Sequence, residues 1–494
     1  MPVYYLEIIV VALGLLMLMI DAFVKLKDKR AIAWIGMLGL GAVFLLLFRV
    51  EWPESTDGSF WQFYKAGDQL SLYFKGIAVL TTLIVLIMAA DYSPIIVAQT
   101  ADPEPGAHRQ AGLGEFFALP MFTCAGLMWM ASANNLVSIF VSLETVTISF
   151  YILVAYLRRN VGSIEAGVKY LILGALSTGF LVYGFAWLFG ITGSMDLGEI
   201  ATALAAPDVN ATAALFSFAL ILVAIAFKIG AVPFHFWIPD VYQGAPTPIT
   251  AFLSVGSKAA GFIVFLRLVG PFLGSPALVG KVTLVLGVLA GLTIIVGNFS
   301  ALPQKNFKRL LAYSSIAHAG FLLLALASAP IVARENALGP ATVIAFYLGA
   351  YLLMTLLAFL VMSTIRQRVV SEELDAYRGL FKTSPFLAVT LLIAMASLAG
   401  VPLTAGFWGK FFVLKLAVEQ EQWLLLVIGI VGAAAGFYYY LKIAVSMFFE
   451  SAPTTTEGDT AFPVAVLTRI AMIALTVLIF AVGIYPNLIL GLLQ

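Results

Sequence analysis

Runs of about twenty apolar residues recur along the chain with little between them. Each is long enough to cross a bilayer as a helix. Fourteen lie near 3–24, 31–49, 70–90, 114–131, 134–157, 164–190, 211–236, 247–270, 279–298, 307–328, 339–363, 384–413, 423–449 and 464–490. Lipid offers no hydrogen bonds, so a spanning segment must satisfy its own backbone; the runs are read as helices. The predicted fold class is an all-α polytopic membrane protein with about fourteen transmembrane helices in a single transmembrane domain, residues 1–490. Composition agrees: 11% of residues are charged and mean hydropathy is +1.03, against about 25% charged in soluble domains. The first run is too long for a signal peptide, lacks a small-residue cleavage site and continues into "KLKDKR". The connecting segments are short, so function is expected within the membrane.

Several chemistries are excluded. Cys124 is the only cysteine, which rules out an internal disulfide, a CxxC redox motif or an iron–sulfur cluster. His108, His235 and His318 are too scattered for a metal site, and no Walker A pattern occurs. The Gly36, Gly39, Gly41 cluster lies in an apolar run without dinucleotide-binding spacing. A formal net charge of +1 gives no case for nucleic-acid binding. No metal or cofactor is expected in this chain. Basic segments at 25–30, 158–160, 305–309 and 366–382 alternate with acidic ones at 51–59 and 194–200. By the positive-inside rule this puts both termini on the non-cytoplasmic side.

Two runs are broken by proline and glycine at mid-length: "FKIGAVPFHFWIPD" (227–240) in the seventh and "AGVPLTAGFWGKFF" (399–412) in the twelfth. They are five spans apart, so they lie on crossings of opposite direction. Matched breaks in two halves of opposite topology point to an inverted-repeat transporter. Such breaks persist where they line a polar cavity.

Ionisable residues inside the apolar runs are few, and each costs about 2.5–3.5 kcal/mol at bilayer depth on insertion scales. Glu144, Lys228, Lys258 and Lys410 are the principal candidates for proton transfer. Glu144 lies beside Phe140, Val141, Ile148 and Tyr151, next to a polar stripe of Asn135, Ser138, Ser142, Thr145 and Ser149. Lys228 is its expected partner. Lys258 continues the stripe Thr247, Thr250, Ser254, and so faces the bundle interior. A low dielectric opposes charge on a lysine and a nearby carboxylate favours it; moving Glu144 relative to Lys228 therefore retains or releases a proton. His318, His235, Lys442 and Glu165 are secondary candidates. Lys442 could snorkel to an interface, and Glu165 could simply form an i,i+4 salt bridge with Lys169.

The stretches "SLETVTISFYILVAY", "SIEAGVKYLILGALSTGFLVYG", "FKIGAVPFHFWIPDVYQGAPTPITAFLSVGSKAAGF", "QKNFKRLLAYSSIAHAGF" and "LAGVPLTAGFWGKFFVLK" resemble the antiporter-like membrane subunits of respiratory complex I, over nearly the whole chain. The length and "YYYLK" (438–442) favour the shorter of these paralogues. The resemblance implies two inverted five-helix repeats, helices 4–8 (114–270) and 9–13 (279–449), between helices 1–3 (3–90) and helix 14 (464–490), with helices 7 and 12 discontinuous. It implies that Glu144 and Lys228 pair, that Lys258 connects, that Lys410 is the terminal lysine and that His318 lies on the polar axis between them. The implied function is proton translocation in the membrane arm of an NADH:quinone oxidoreductase of the bacterial inner membrane, beside neighbouring membrane-arm subunits. NAD, FMN, Fe–S clusters and quinone would be bound by other subunits. Two other readings stand beside it: a subunit of a multi-subunit cation/proton antiporter, and an inert membrane-arm scaffold. Nothing resembles a pocket for an organic solute.

Overall fold

The computed structural model describes residues 4–50, 64, 68–100, 110, 112–329, 338–369, 371–451 and 462–493. The acidic segment 51–59 and His108 lie outside them. Among the described residues, thirteen helices are long and apolar enough to cross a membrane: Tyr5–Phe23, Arg30–Arg49, Gln69–Thr100, Leu113–Ser132, Leu136–Val154, Val161–Thr192, Ala211–Ile229, Thr247–Leu273, Val279–Ala301, Phe307–Ala327, Pro340–Arg366, Trp423–Phe449 and Val466–Ile484. The shorter Pro385–Ala399 and its continuation Ala405–Glu419 complete the set as the twelfth crossing. These are spans 1 to 14 in chain order.

Two elements differ from expectation. Span 3 continues to Thr100, ten residues past its expected end, with Pro94 inside it. Tyr92, Ser93 and Ile96 are buried, and Asp91 accepts a hydrogen bond from Thr468 of span 14, so packing holds the extra turns. The connection after span 6 contains a short helix, Leu197–Leu204. The Asp196 carboxylate caps it by accepting from the Gly198 and Glu199 N–H groups, at 2.8 and 3.2 Å.

Spans 8, 10 and 11 form the interior. Their apolar windows are 89%, 94% and 100% buried, whereas those of spans 1, 6, 13 and 14 are a third buried or less. Spans 9 and 10 meet backbone to backbone. A methyl group on Gly297 would stand 2.5 Å from the Ala317 nitrogen, and one on Gly320 would stand 2.7 Å from the Ile294 nitrogen. Close approach through small residues is how membrane helices gain packing without a hydrophobic driving force.

The same turn occurs twice, at the starts of spans 5 and 10. Asn135 and Asn306 are their N-caps. Leu136 N–H donates to the Met195 carbonyl and Leu197 N–H to the Asn134 carbonyl. Phe307 N–H donates to the Glu372 carbonyl and Leu374 N–H to the Lys305 carbonyl in the same register. The breaks match as well. Gly230 ends the first half of span 7, whose second half is Trp237–Gly244, and Gly400 that of span 12, with φ of +76° and +90°, a conformation that favours glycine. The next N–H reaches back five residues in both, Ala231 to Ala226 and Val401 to Ala396, as in a Schellman cap.

Candidate functional site

Spans 5 and 7 bring Glu144 and Lys228 near each other but not into contact. The Lys228 ammonium donates to Thr147 Oγ1 at 2.7 Å, one turn along span 5 from Glu144. Glu144 instead accepts from Thr178 of span 6 at 2.8 Å. The expected ion pair is thus open in this structure. Glu144 is half-buried in a groove of about 570 Å³ between spans 5 and 6, with Ile148, Tyr151 and Leu171 on its walls. Lys228 lines a separate cavity of about 20 Å³, among Thr147, Tyr170 and Ser257.

Lys258, His318 and Lys410 lie deeper; their exposures are 3%, 2% and 8%. Lys258 directly follows a π-helical turn, Leu253–Ser257, inside span 8. Such turns shift the residues after them and are frequent at functional sites. The Lys258 ammonium donates to the Ser315 carbonyl of span 10 and lies 5.1 Å from the Tyr351 ring centroid. Ser254 and Tyr351 share a hydrogen bond at 2.9 Å, as do Tyr242 and Ser315 at 3.1 Å.

One turn along span 10 from Ser315, both ring nitrogens of His318 are engaged. Nδ1 meets Tyr347 Oη at 2.7 Å and Nε2 meets Tyr440 Oη at 3.2 Å; Tyr440 also bonds Ser314. His318 is within electrostatic reach of both Lys258 and Lys410. Lys410, on the second half of span 12, donates to the Leu398 and Ala399 carbonyls at 3.0 and 2.8 Å. Those carbonyls lost their helical donors at the break, and they carry the negative end of the first half-helix's dipole. Lys410 therefore needs no carboxylate here. In span 7 the Phe227 carbonyl accepts the Gly230 N–H at 3.3 Å and also the Trp237 indole, at 2.9 Å.

The secondary candidates separate. His235 is buried in the span 7 break, and its Nδ1 has no hydrogen-bond partner among the described residues. Glu165 pairs with Lys169 at 2.7 Å, and Lys169 also pairs with Asp240 at 2.7 Å. Lys442 is exposed.

Sequence reasoning missed several groups. Lys75 of span 3 and Glu7 of span 1 form an ion pair at 2.7 Å, each 1% exposed. Arg267 of span 8 binds Asp68, Ser71 and the Ala131 carbonyl. Lys308, placed among orientation-setting loop charges, is 2% exposed and paired with Glu372 at 2.8 Å. A lone charge inside an apolar run could have flagged Lys75.

Residues 133–436 match the family described as NADH:quinone oxidoreductase/Mrp antiporter, TM. A protein named NADH-quinone oxidoreductase subunit N from Trichlorobacter lovleyi is 38% identical over 491 residues, covering 99% of this chain and 95% of the relative. A chain in the structure of respiratory complex I from Thermus thermophilus with bound aureothin is 32% identical, with a TM-score of 0.78 over 98% of each chain. A chain of the Mrp complex from Dietzia sp. shares the fold, with a TM-score of 0.78 at 20% identity over 99% of this chain and 96% of that one. With more than half its length matched and a relative aligned almost end to end, the chain belongs to the NADH:quinone oxidoreductase/Mrp antiporter transmembrane family.

Proposed function

We propose that this chain is a proton-translocating membrane-arm subunit of a bacterial NADH:quinone oxidoreductase, of the subunit N type. It moves protons through Glu144, Lys228, Lys258 and Lys410, with His318 between the last two. Electron transfer from NADH to quinone takes place in other subunits. The observation that carries this reading is the succession Lys258, His318 and Lys410: three buried ionisable groups with no carboxylate partner among the described residues, Lys258 donating to the Ser315 carbonyl one turn from His318, and His318 held by the Tyr347 and Tyr440 hydroxyls. The charges cost several kcal/mol at depth, and hydroxyl and imidazole groups between them can accept and donate protons in turn. The subunit N relative, aligned over 95% of its own length, favours this reading over an Mrp-type antiporter, for which the shared family and the fold speak.

The matched cap turns and Gly230/Gly400 breaks support two inverted repeats, 114–270 and 279–449. Fourteen crossings put the two termini on one side, and the basic connections argue that this side is the periplasm.

The test uses membranes in which the assembled enzyme carries Lys258→Met. NADH–quinone turnover and protons moved per electron pair are both expected to collapse. Wild-type values for both, with assembly verified, would make Lys258 structural and the chain a scaffold.

A further inference from the structure

A polar cavity of about 480 Å³ opens on the face formed by the connections after spans 5, 7, 9 and 11. Its walls include Glu165, Lys169, Asp240, Gln243, Arg366 and Glu372. Two polar stripes lead inward beside it. Span 8 carries Thr247, Thr250 and Ser254 up to Lys258, all buried. Span 10 carries Lys308, Ser315 and His318 on one face, at the helical spacings i, i+7 and i+10. Tyr242 joins the stripes through its bond to Ser315, whose carbonyl receives Lys258.

Lys308 stands where the stripes begin. Its ammonium is held by Glu372 at 2.8 Å and by the Ala245 carbonyl at 2.9 Å. Glu372 is 17% exposed and lies on the cavity wall; Lys308 is 2% exposed and lies behind it. Arg366 approaches the same carboxylate at 3.5 Å. Behind Lys308, the Thr247 hydroxyl is fully buried and has no hydrogen-bond partner. The polar side chains thus continue inward past the point where access stops.

We propose that this cavity is the cytoplasmic mouth of the proton path to Lys258, and that the Lys308–Glu372 pair closes it. The inference rests on proton transfer through Lys258 as read above. It also makes the connection between spans 11 and 12, in the second half of the chain, control entry to a path that starts in the first half. A charged pair suits this place because it occupies the passage yet can part when one partner changes charge. An apolar plug would have no such trigger.

The experiment places Thr247→Cys in the assembled enzyme and follows its reaction with a charged, membrane-impermeant maleimide. The chain's own Cys124 is fully buried, so background labelling of this subunit is low. Labelling should be slow when the pair is intact and at least about tenfold faster with Glu372→Gln, whereas Glu372→Asp keeps it slow. Glu372→Gln should also lower the protons moved per electron pair while NADH–quinone turnover continues. If Glu372→Gln does not assemble, Lys308→Gln carries the same expectation. Fast labelling with the pair intact, or labelling that neither variant accelerates in assembled enzyme, overturns the proposal. The two readings fail separately: Lys258→Met tests the path, and the labelling rate tests its closure without reference to pumping.

Discussion

Lys228 donates to Thr147 Oγ1 at 2.7 Å, and not to Glu144, which is one turn away on the same helix. Thr147 and His318 stand at the same distance from their cap asparagines (135 to 147, 306 to 318). The hydroxyl that receives Lys228 thus occupies in one half of the chain the place that the imidazole occupies in the other. A hydrogen bond to a charged group contributes about 1.5–3 kcal/mol. In Thr147→Val the population with Lys228 docked at this site should fall about tenfold or more, leaving Glu144 as the remaining partner. Protons per electron pair should drop in assembled enzyme without loss of the complex. Unchanged stoichiometry would show that Thr147 only fills space.

The His318 ring is fixed from both sides by tyrosine hydroxyls. His318→Phe removes the imidazole held between the Tyr347 and Tyr440 hydroxyls, and turnover coupled to pumping should fall by an order of magnitude or more. Tyr347→Phe removes one hydroxyl and leaves the imidazole bonded to Tyr440, so its loss should stay within a few-fold. Measuring both in the same vesicles decides whether the imidazole or the hydroxyl matters more.

Gly406 lies where a methyl group would stand 1.8 Å from the Ser397 carbonyl oxygen. Backbone cannot yield as a side-chain tip can, so Gly406→Ala should force the halves of span 12 apart and prevent assembly. Gly400→Ala meets only Lys410 methylene at 3.1 Å and adds the strain of φ +90°, a cost of about 1 kcal/mol or somewhat more. It should assemble and inactivate at a lower temperature. Heat-inactivation curves distinguish the two.

The Glu7–Lys75 pair is buried without further hydrogen bonds to Glu7 Oε2. Removing one partner of a buried pair costs about 3–5 kcal/mol, whereas replacing both by apolar residues is often neutral. Lys75→Met alone should sharply lower the yield of assembled enzyme, and Glu7→Leu combined with Lys75→Met should restore much of it. Equal losses in the single and double variants would argue for a role beyond packing.

Lys442 is exposed, and no acid meets it among the described residues. Lys442→Ala should keep turnover and proton stoichiometry within about twofold of wild type, since a lysine near the end of a span can carry its charge out to the interface.

Much of this architecture is legible in the chain itself. Apolar length finds the spans, because a bilayer imposes it. Glycine and proline at 230–233 and 400–402 find both breaks, because an interrupted helix needs a left-handed residue to end it. Lys258, Lys410 and His318 stand out because charge in an apolar run is rare. What stays hidden depends on partners distant in sequence. The tyrosines at 242, 347, 351 and 440 look like ordinary core aromatics until their hydroxyls meet Ser315, His318 and Ser254. The π-helical turn before Lys258 has no composition of its own. Lys308 reads as a loop charge because only the fold lays Glu372 and Ala245 against it.

The equivalent breaks are finished differently. At span 7 the Phe227 carbonyl at the break accepts from both the Gly230 N–H and the Trp237 indole, donors that never change charge at physiological pH. At span 12 the stranded carbonyls of Leu398 and Ala399 are held by an ammonium. A charged donor makes a bond roughly twice as strong as a neutral one, so that hold is firm with Lys410 charged and slack with it neutral. On the proton path proposed above, one architecture yields a permanently fastened joint and a joint whose latch is the cargo itself, and stiffness at the twelfth crossing becomes a record of whether a proton is aboard.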